Sequence, residues 1–220
     1  MFSQNVRLYK DSDYHKVREM FTSGCFEHTT AAFCHALRLP HNYLALLIVF
    51  LLPLLTTGSF VISIVGVVGV VVALWFSITN VISFCVKIAL EGDLKDIERY
   101  YTREDHCFWV AESAGEVVGT VAAVPLHKGG KTMELKRMSV ASTYRGKGVG
   151  KVLCRTMIDF AQQRGCNAVI LFTTSIQADA VRLYEKMGFR HVDTSYQGSL
   201  RNWLLGFIWV TYRYDIPAHK

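Results

Sequence analysis

The stretch YRGKGVGKVL, residues 144–153, sets glycines at 146, 148 and 150 among Arg145, Lys147 and Lys151, and an apolar repeat follows directly. Glycine is costly inside an ordered element, so three at alternate positions imply a backbone that must turn sharply or approach a ligand closely. The upstream glycine and the following Ser or Thr of a nucleoside-triphosphate loop are missing. A dinucleotide fingerprint is excluded too, because Lys151 stands where its third glycine belongs. What remains is Arg145-x-x-Gly148-x-Gly150 between a strand and a helix. At such a junction the unpaired N–H groups of the loop and first helical turn converge on one point, and the helix dipole favours an anion there. Gly146, Gly148, Val149 and Gly150, with the cations Arg145, Lys147 and Lys151, therefore read as a cradle for a diphosphate.

The elements that position this loop can be followed along the chain. An alternating strand from Val6 to Tyr9 leads to a helix capped by Ser12 or Asp13, with Val17, Met20 and Phe21 on its apolar face. EGDLKDIERYY is a short amphipathic helix presenting Leu94, Ile97 and Tyr101. CFWVAE from Cys107, the turn SAGE and VVGTVAAV from Val117 form a hairpin. MELKRMSV from Met133 runs into the glycine loop, and Val149, Val152, Leu153, Met157 and Phe160 recur at helical spacing behind it. AVILFTT is a buried strand, QADAVRLYEKM a helix, FRHV a strand and IWVTYRYDI a last long strand. The pattern predicts an α+β fold: a mixed, mostly antiparallel sheet flanked by helices.

One segment does not belong to such a domain. From Leu39 to Val86 the chain has no Asp, Glu, Lys or Arg. As helix this run would reach roughly 70 Å, enough to cross a hydrocarbon core of about 30 Å twice. Pro53 and TTGS at 56–59 offer the break; the first arm, Tyr43 to Leu55, is short for a full crossing and leaves a re-entrant wedge open, while Phe60 to Phe84 is long enough. Because the strand at Val6 must rejoin the sheet of residues 107–214, both ends of the hairpin lie on one side of the bilayer. Arg38 and Lys87 flank it and the TTGS turn carries no cation, which by the positive-inside tendency places the domain in the cytosol. The run begins after about forty patterned residues, unlike a cleaved signal peptide. The chain is thus divided into residues 1–38 (first strand and helix), 39–86 (membrane hairpin) and 87–220 (the remainder of the domain).

A net charge of +6 suits a phosphorylated cofactor or an acidic lipid surface. No nucleic-acid-binding motif is present. The six cysteines form no C-x-x-C pair and read as reduced thiols, and the histidines show no metal-ligand spacing, so no metal is expected.

With these residues in place, the sequence resembles the GCN5-related N-acetyltransferase (GNAT) superfamily, whose signature [Q/R]-x-x-G-x-[G/A] binds the pyrophosphate of acetyl-CoA. VRLYKDSDYHKV is similar to its first strand and helix, FWVAESAGEVVGTVAAV to its central hairpin, ELKRMSVASTYRGKGVGKVL to its fourth strand and cofactor loop, and AVRLYEKMGF to its second cofactor motif. FWVAE, LYEKMGFRH, the terminal YRYDI and the early apolar hairpin resemble more narrowly the camello-like branch. That branch includes membrane-bound cysteine S-conjugate N-acetyltransferases, an aspartate N-acetyltransferase and acetyltransferases of protein lysines. The resemblance implies a membrane-bound GNAT enzyme, expected in the endoplasmic reticulum, that moves acetyl from acetyl-CoA to the primary amine of a small amine acceptor or a protein: first the α-amine of a cysteine S-conjugate, second a protein lysine, third aspartate. A membrane-anchored acyl-CoA-binding scaffold without turnover is the reading from another class.

Acetyl transfer needs the amine deprotonated, the thioester polarised and the thiolate stabilised. The resemblance assigns the general base to Glu134, the proton donor to Tyr184, and pantetheine and acetyl contacts to the backbone at Met138, Ser139 and Val140. Period two along the strand puts Glu134 on the face of Met138 and Val140. Where many superfamily members carry Asn, this chain has Gln177, a longer amide that can still reach the cofactor.

Overall fold

The computed structural model describes residues 5–195 and 200–217, with the side chains of residues 200 and 201 left aside. Fifteen strands and helices follow in chain order: β1 (Asn5–Leu8), α1 (Tyr14–Phe26), α2 (Thr29–Leu37), α3 (Pro40–Thr57), α4 (Phe60–Glu91), α5 (Ile97–Tyr101), β2 (Cys107–Ser113), β3 (Glu116–Pro125), β4 (Thr132–Val140), α6 (Val149–Gln163), β5 (Ala168–Thr174), α7 (Ala178–Lys186), β6 (Arg190–Ser195), α8 (Leu200–Leu205) and β7 (Trp209–Asp215). The strands form one sheet in the order β1-β2-β3-β4-β5-β7-β6. Only β4 and β5 run parallel, so the mixed, mostly antiparallel sheet expected from the sequence is the fold observed.

β3 is buried along nearly its whole length because helices cover both faces of the sheet. On one face α6 lays Val149, Leu153, Cys154, Met157 and Ile158 against Val118, Val121, Ala123, Met133 and Leu135. On the other, Val17 and Met20 of α1, Ala89 of α4 and Leu94, Ile97 and Tyr101 meet Phe108, Val110, Ala122 and Val124. A third cluster lies outside the sheet, where Ala32 and Ala36 of α2 pack on Ile78, Val81, Ile82 and Val86 of α4 and on Leu205 and Phe207. Asp13 sits at the head of α1 without bonding its amides. Its carboxylate instead receives Arg7 at 2.7 and 3.0 Å and the Lys10 amide at 3.0 Å, which fixes the turn from β1 into α1.

The apolar run is not of one kind. α3 has no buried residue, and α4 is exposed over most of its first half. From Ile78 onward, however, α4 repeatedly turns a buried stripe toward the domain and continues past Val86 to Glu91, where Gly92 ends it. One helix of about 48 Å thus serves as the second arm of the hairpin and as a core helix of the domain. α2 and α8 carry no strong periodic signal and were not anticipated.

Candidate active site

The parallel pairing of β4 with β5 covers only Thr132–Leu135 against Ala168–Leu171. Past that point β4 bulges. Thr120 pairs with Ser139 while Ala122 pairs with Lys136, so β4 fits two residues, Arg137 and Met138, opposite the single Val121 of β3. Arg137 takes φ of +52° there, a left-handed conformation that costs a non-glycine residue strain. The bulge bends β4 away from β5, and the two strands open into a V whose β4 edge is Met138–Val140.

The extra residue also changes which side chains share a face. Met133, Leu135, Met138 and Val140 point toward α6. Arg137 and Ser139 point toward α1 and α4: Arg137 lies over the Phe21 ring at 4.9 Å and pairs with Asp93, and Ser139 Oγ donates to Met20 O at 3.5 Å. Glu134, which alternates with Met133 and Leu135, joins this second group. The expectation that it shares a face with Met138 and Val140 fails, because strict alternation does not survive a bulge.

The strained corner is held by a buried ionic cluster. Arg137 Nε donates to Asp93 Oδ2 at 2.8 Å, Nη2 donates to Oδ1, and the Tyr101 hydroxyl also donates to Asp93. Burial alone would raise the Asp93 pKa, but the paired guanidinium outweighs it and holds the carboxyl below its ordinary range. Thr120 Oγ1 donates to the Arg137 carbonyl at 2.7 Å, tying the bulge to β3.

A cavity of about 650 Å³ occupies the V. On one side lie Arg145, Gly146 and Gly148 of the loop, Gly150 and Lys151 in the first turn of α6, Gln177 at the head of α7 and Ala180, Leu183 and Tyr184 within it, and the β4 edge Met138–Val140 forms its floor. Gly146 and Gly148 have φ of +73° and +87°, so the loop conformation itself demands glycine. Gly150 has a different role: a Cβ would stand 2.9 Å from Leu183 Cδ2 and 3.3 Å from Met138 Cε, so it keeps the space between α6, α7 and β4 open, and a larger side chain would have to displace the ends of Leu183 and Met138. The first intrahelical bond of α6 runs from the Val152 amide to Gly148 O at 3.1 Å, which leaves the amides of Val149, Gly150 and Lys151 as the helix's unpaired donors. These residues fit a diphosphate.

Two of the expected ligands could serve only through their backbone. The Val149 side chain is buried under the sheet, and Lys147 lies over the Tyr144 ring at 4.9 Å; neither side chain lines the cavity. Arg145 lines it, but its guanidinium is engaged: Nη2 is 2.5 Å from Glu27 Oε2 and Nε donates to Val140 O at 3.1 Å. It clasps the corner between α1 and α2 to the loop. Gln177 Oε1 accepts from Thr173 Oγ1 at 2.8 Å, which turns its NH₂ into the donor end. Tyr184 lines the cavity with its ring against Phe189, and burial raises its pKa, so the phenol keeps its proton at neutral pH.

The opposite wall was not foreseen from the sequence. Phe21, Gly24, Cys25 and His28, from α1 and the turn after it, close the cavity on the sheet face that carries Arg137 and Ser139. Burial, helped by Arg145, lowers the His28 pKa and keeps the ring neutral. Burial pushes the Cys25 thiol up to about 11, which makes it a poor nucleophile. Glu134 itself does not line the cavity. It is half-buried with Lys136 Nζ at 3.8 Å, and burial raises its pKa against the opposing pull of Lys136 and Arg137. Among the described residues no group of three His, Cys, Asp or Glu side chains could hold a metal ion.

The splayed parallel pair, the bulge and the glycine loop at the head of α6 together define an acetyl-CoA-dependent acetyltransferase, and the chain belongs to the Acetyltransferase (GNAT) family, whose profile matches residues 75–189. It is 39% identical over 219 residues to the "Probable N-acetyltransferase camello" of Xenopus tropicalis, spanning 99% of this chain and 100% of that one. To "N-acetyltransferase 8" of Rattus norvegicus it is 37% identical, again over 99% and 100% of the two chains. Its relatives are thus camello-like N-acetyltransferases along the whole length. Among solved structures, an acetyltransferase of the GNAT family from Staphylococcus aureus Mu50 superposes with a TM-score of 0.60 at 17% identity, covering 98% of this chain and 100% of that chain. A GCN5-related N-acetyltransferase from Kribbella flavida gives 0.56 at 17%, covering 97% and 98%. These two likenesses concern the fold.

Proposed function

We propose that the chain is a membrane-inserted N-acetyltransferase acting on the α-amine of cysteine S-conjugates, with α3 and the exposed outer half of α4 as its membrane segment between two parts of one catalytic domain. The observation that carries this reading is the apolar α1 wall: Phe21 and Cys25 line the cavity and also pack against the α2–α4 cluster that forms the stem of the exposed hairpin. An acceptor with an apolar S-substituent can therefore reach the site from the level of the bilayer. The stem supports insertion too, since α3 and the outer part of α4 expose Leu44, Leu47, Ile48, Leu52, Ile62 and Val65 among the described residues. α3 is about 27 Å long, close to one hydrocarbon thickness.

Acetyl-CoA supplies an activated acetyl thioester to this site. The amides of residues 146–151 hold its diphosphate, the β4 edge at Met138–Val140 orients the acyl arm, and Gln177 donates toward it from α7. The bulge sends the two functions to opposite faces. The loop and α7 hold the cofactor on one side, and Glu134 faces the α1 side from which the amine arrives. Glu134 takes the amine's proton through an intervening water, and the Tyr184 phenol, whose pKa burial raises further, donates a hydrogen bond to the departing thiolate.

Arg38, exposed beside the stem, and six free cysteines support a cytosol-facing domain at the endoplasmic reticulum. Lys87, exposed on the domain part of α4 and 3.8 Å from Glu91, adds to the same bias. The test is the protein in detergent with acetyl-CoA and, separately, S-benzyl-cysteine, aspartate and a lysine peptide, reading released thiol. The highest kcat/KM is expected for S-benzyl-cysteine; a preference for aspartate or the peptide would replace this acceptor by the other.

A further inference from the structure

At the foot of the hairpin, aromatic side chains from four separate helices come together. Val49 of α3 faces Gly66 of α4, where a Cβ would approach to 3.0 Å; counting back along α3 and forward along α4 from that pair brings Pro40 level with Trp75. Trp75 packs edge-on to Phe33 of α2 at 5.1 Å and is partly exposed. One residue past Pro40, His41 stacks on Trp203 of α8 with ring centres 4.1 Å apart and planes at 19°. The Leu204 carbonyl closes the joint: His41 Nε2 lies 3.2 Å from it, and Asn42 Nδ2 donates to it at 2.8 Å. Tyr43 stands exposed at the same level, and Trp203 and Leu204 remain 46% and 39% exposed.

Beyond this level toward the tip, the hairpin carries neither Trp nor Tyr, only aliphatic residues, Phe and small residues. Trp and Tyr collect where hydrocarbon meets headgroups, because their rings are apolar and their N–H or O–H groups prefer a wet partner. A ring of Trp75, Trp203, His41 and Tyr43 at one height, with Arg38 just outside it, is the arrangement of an interface level. α8 belongs to this ring although it is far from the hairpin in sequence. It is a short helix between β6 and β7 that buries Leu205 against α2 and α4, exposes Trp203 and Leu204, and is tied to the first turn of α3 by the bonds above.

We infer that α8 is a second membrane contact: Trp203 and Leu204 rest in the headgroup layer of a lipid bilayer, continuous with the inserted hairpin, and set the height of the domain above it. The inference rests on the insertion proposed above. It has a consequence for the tip. Measured from this level, α3 extends inward by only about 25 Å, less than a typical hydrocarbon core. The tip is built for that environment: Thr56 Oγ1 donates to Leu52 O at 2.8 Å and Thr57 Oγ1 to Pro53 O at 2.8 Å, so these hydroxyls have internal partners.

The experiment places the photo-crosslinker benzoylphenylalanine, in separate full-length chains, at Leu204, at Leu47 within α3 and at Lys128 in the β3–β4 turn, each reconstituted in phosphatidylcholine vesicles. Lipid adducts are read by mass spectrometry, and a fourth chain with the probe at Trp203 replaces the first should that one fail to fold. Adducts at 204 comparable in yield to those at 47, with only background at 128, are the expected result. Adducts at 47 with background at 204 and 203 would overturn the contact made by α8 while leaving the hairpin inserted. Background at 47 would overturn both.

Discussion

Replacing Asp93 by alanine is expected to destabilise the protein by about 3–5 kcal/mol, the usual cost of removing one partner from a buried ion pair. Asp93 is 8% exposed and receives both Arg137 and Tyr101. Without it a buried guanidinium has no counter-charge and the bulge loses its anchor. For a chain of this length the loss corresponds to a fall in Tm of roughly 10 °C. The double variant Asp93→Leu with Arg137→Met should lose less than the sum of the two single changes, because no orphan charge remains. The pH dependence has a definite sign. A carboxyl with a depressed folded pKa stabilises above its unfolded value, and that contribution disappears as pH falls through the folded value. Wild type should therefore lose stability toward acid more steeply than the double variant. Equal melting of Asp93→Ala and wild type would show that the pair does not hold the bulge.

Glu134→Gln should reduce kcat by about 10²–10⁴-fold, the usual range for a general base. The change keeps the shape and removes the proton acceptor. Burial raises the Glu134 pKa, so the acid limb of the wild-type rate profile should lie above the ordinary glutamate value, rising with pH as the carboxyl ionises, and should vanish in the variant. Stability should move the other way. A group whose folded pKa is raised stabilises only below its unfolded value and loses that benefit as pH rises through the folded value. At neutral pH the ionised Glu134 is a cost, and glutamine should melt at the same temperature or higher. A variant that loses activity while keeping or gaining stability separates catalysis from packing. Unchanged kcat with an unchanged acid limb would move the base elsewhere.

The residues that depend on local chemistry could be read in advance. The glycine loop, Tyr184 on its helix, the strand order along the chain and the apolar hairpin all rest on spacing of a few residues. What could not be read depends on distant partners. Nothing near Arg137 announces a left-handed residue, since the strain is sustained by Asp93, 44 positions away, and by Thr120 across the sheet. One bulge then reversed the face of Glu134 relative to Met138 and Val140. The α1 wall was missed for the same reason. Gly24 and Cys25 look like unremarkable helix positions until the fold brings Gly24 within 3.2 Å of Ser139 Oγ, counted from where a Cβ would stand. α4 was divided at Val86 because composition registers apolarity and not what covers it. Its outer half packs on α3 alone and is otherwise exposed, while its inner half faces α2, with the same residue types on both.

The account depends most on the main chain between residues 145 and 151 holding the diphosphate of acetyl-CoA. Isothermal titration of the detergent-solubilised full chain with CoA tests this directly, comparing wild type with Gly148→Val, which forces a branched side chain into φ of +87°, and with Gly150→Leu, which meets Leu183 and Met138. Wild type should bind, and each variant should lose affinity by about tenfold or more, in line with backbone strain of roughly 1–2 kcal/mol or overpacking of about 1–3 kcal/mol at the cradle. Folded wild type that does not bind CoA, or variants that bind it as tightly as wild type, would contradict the assignment.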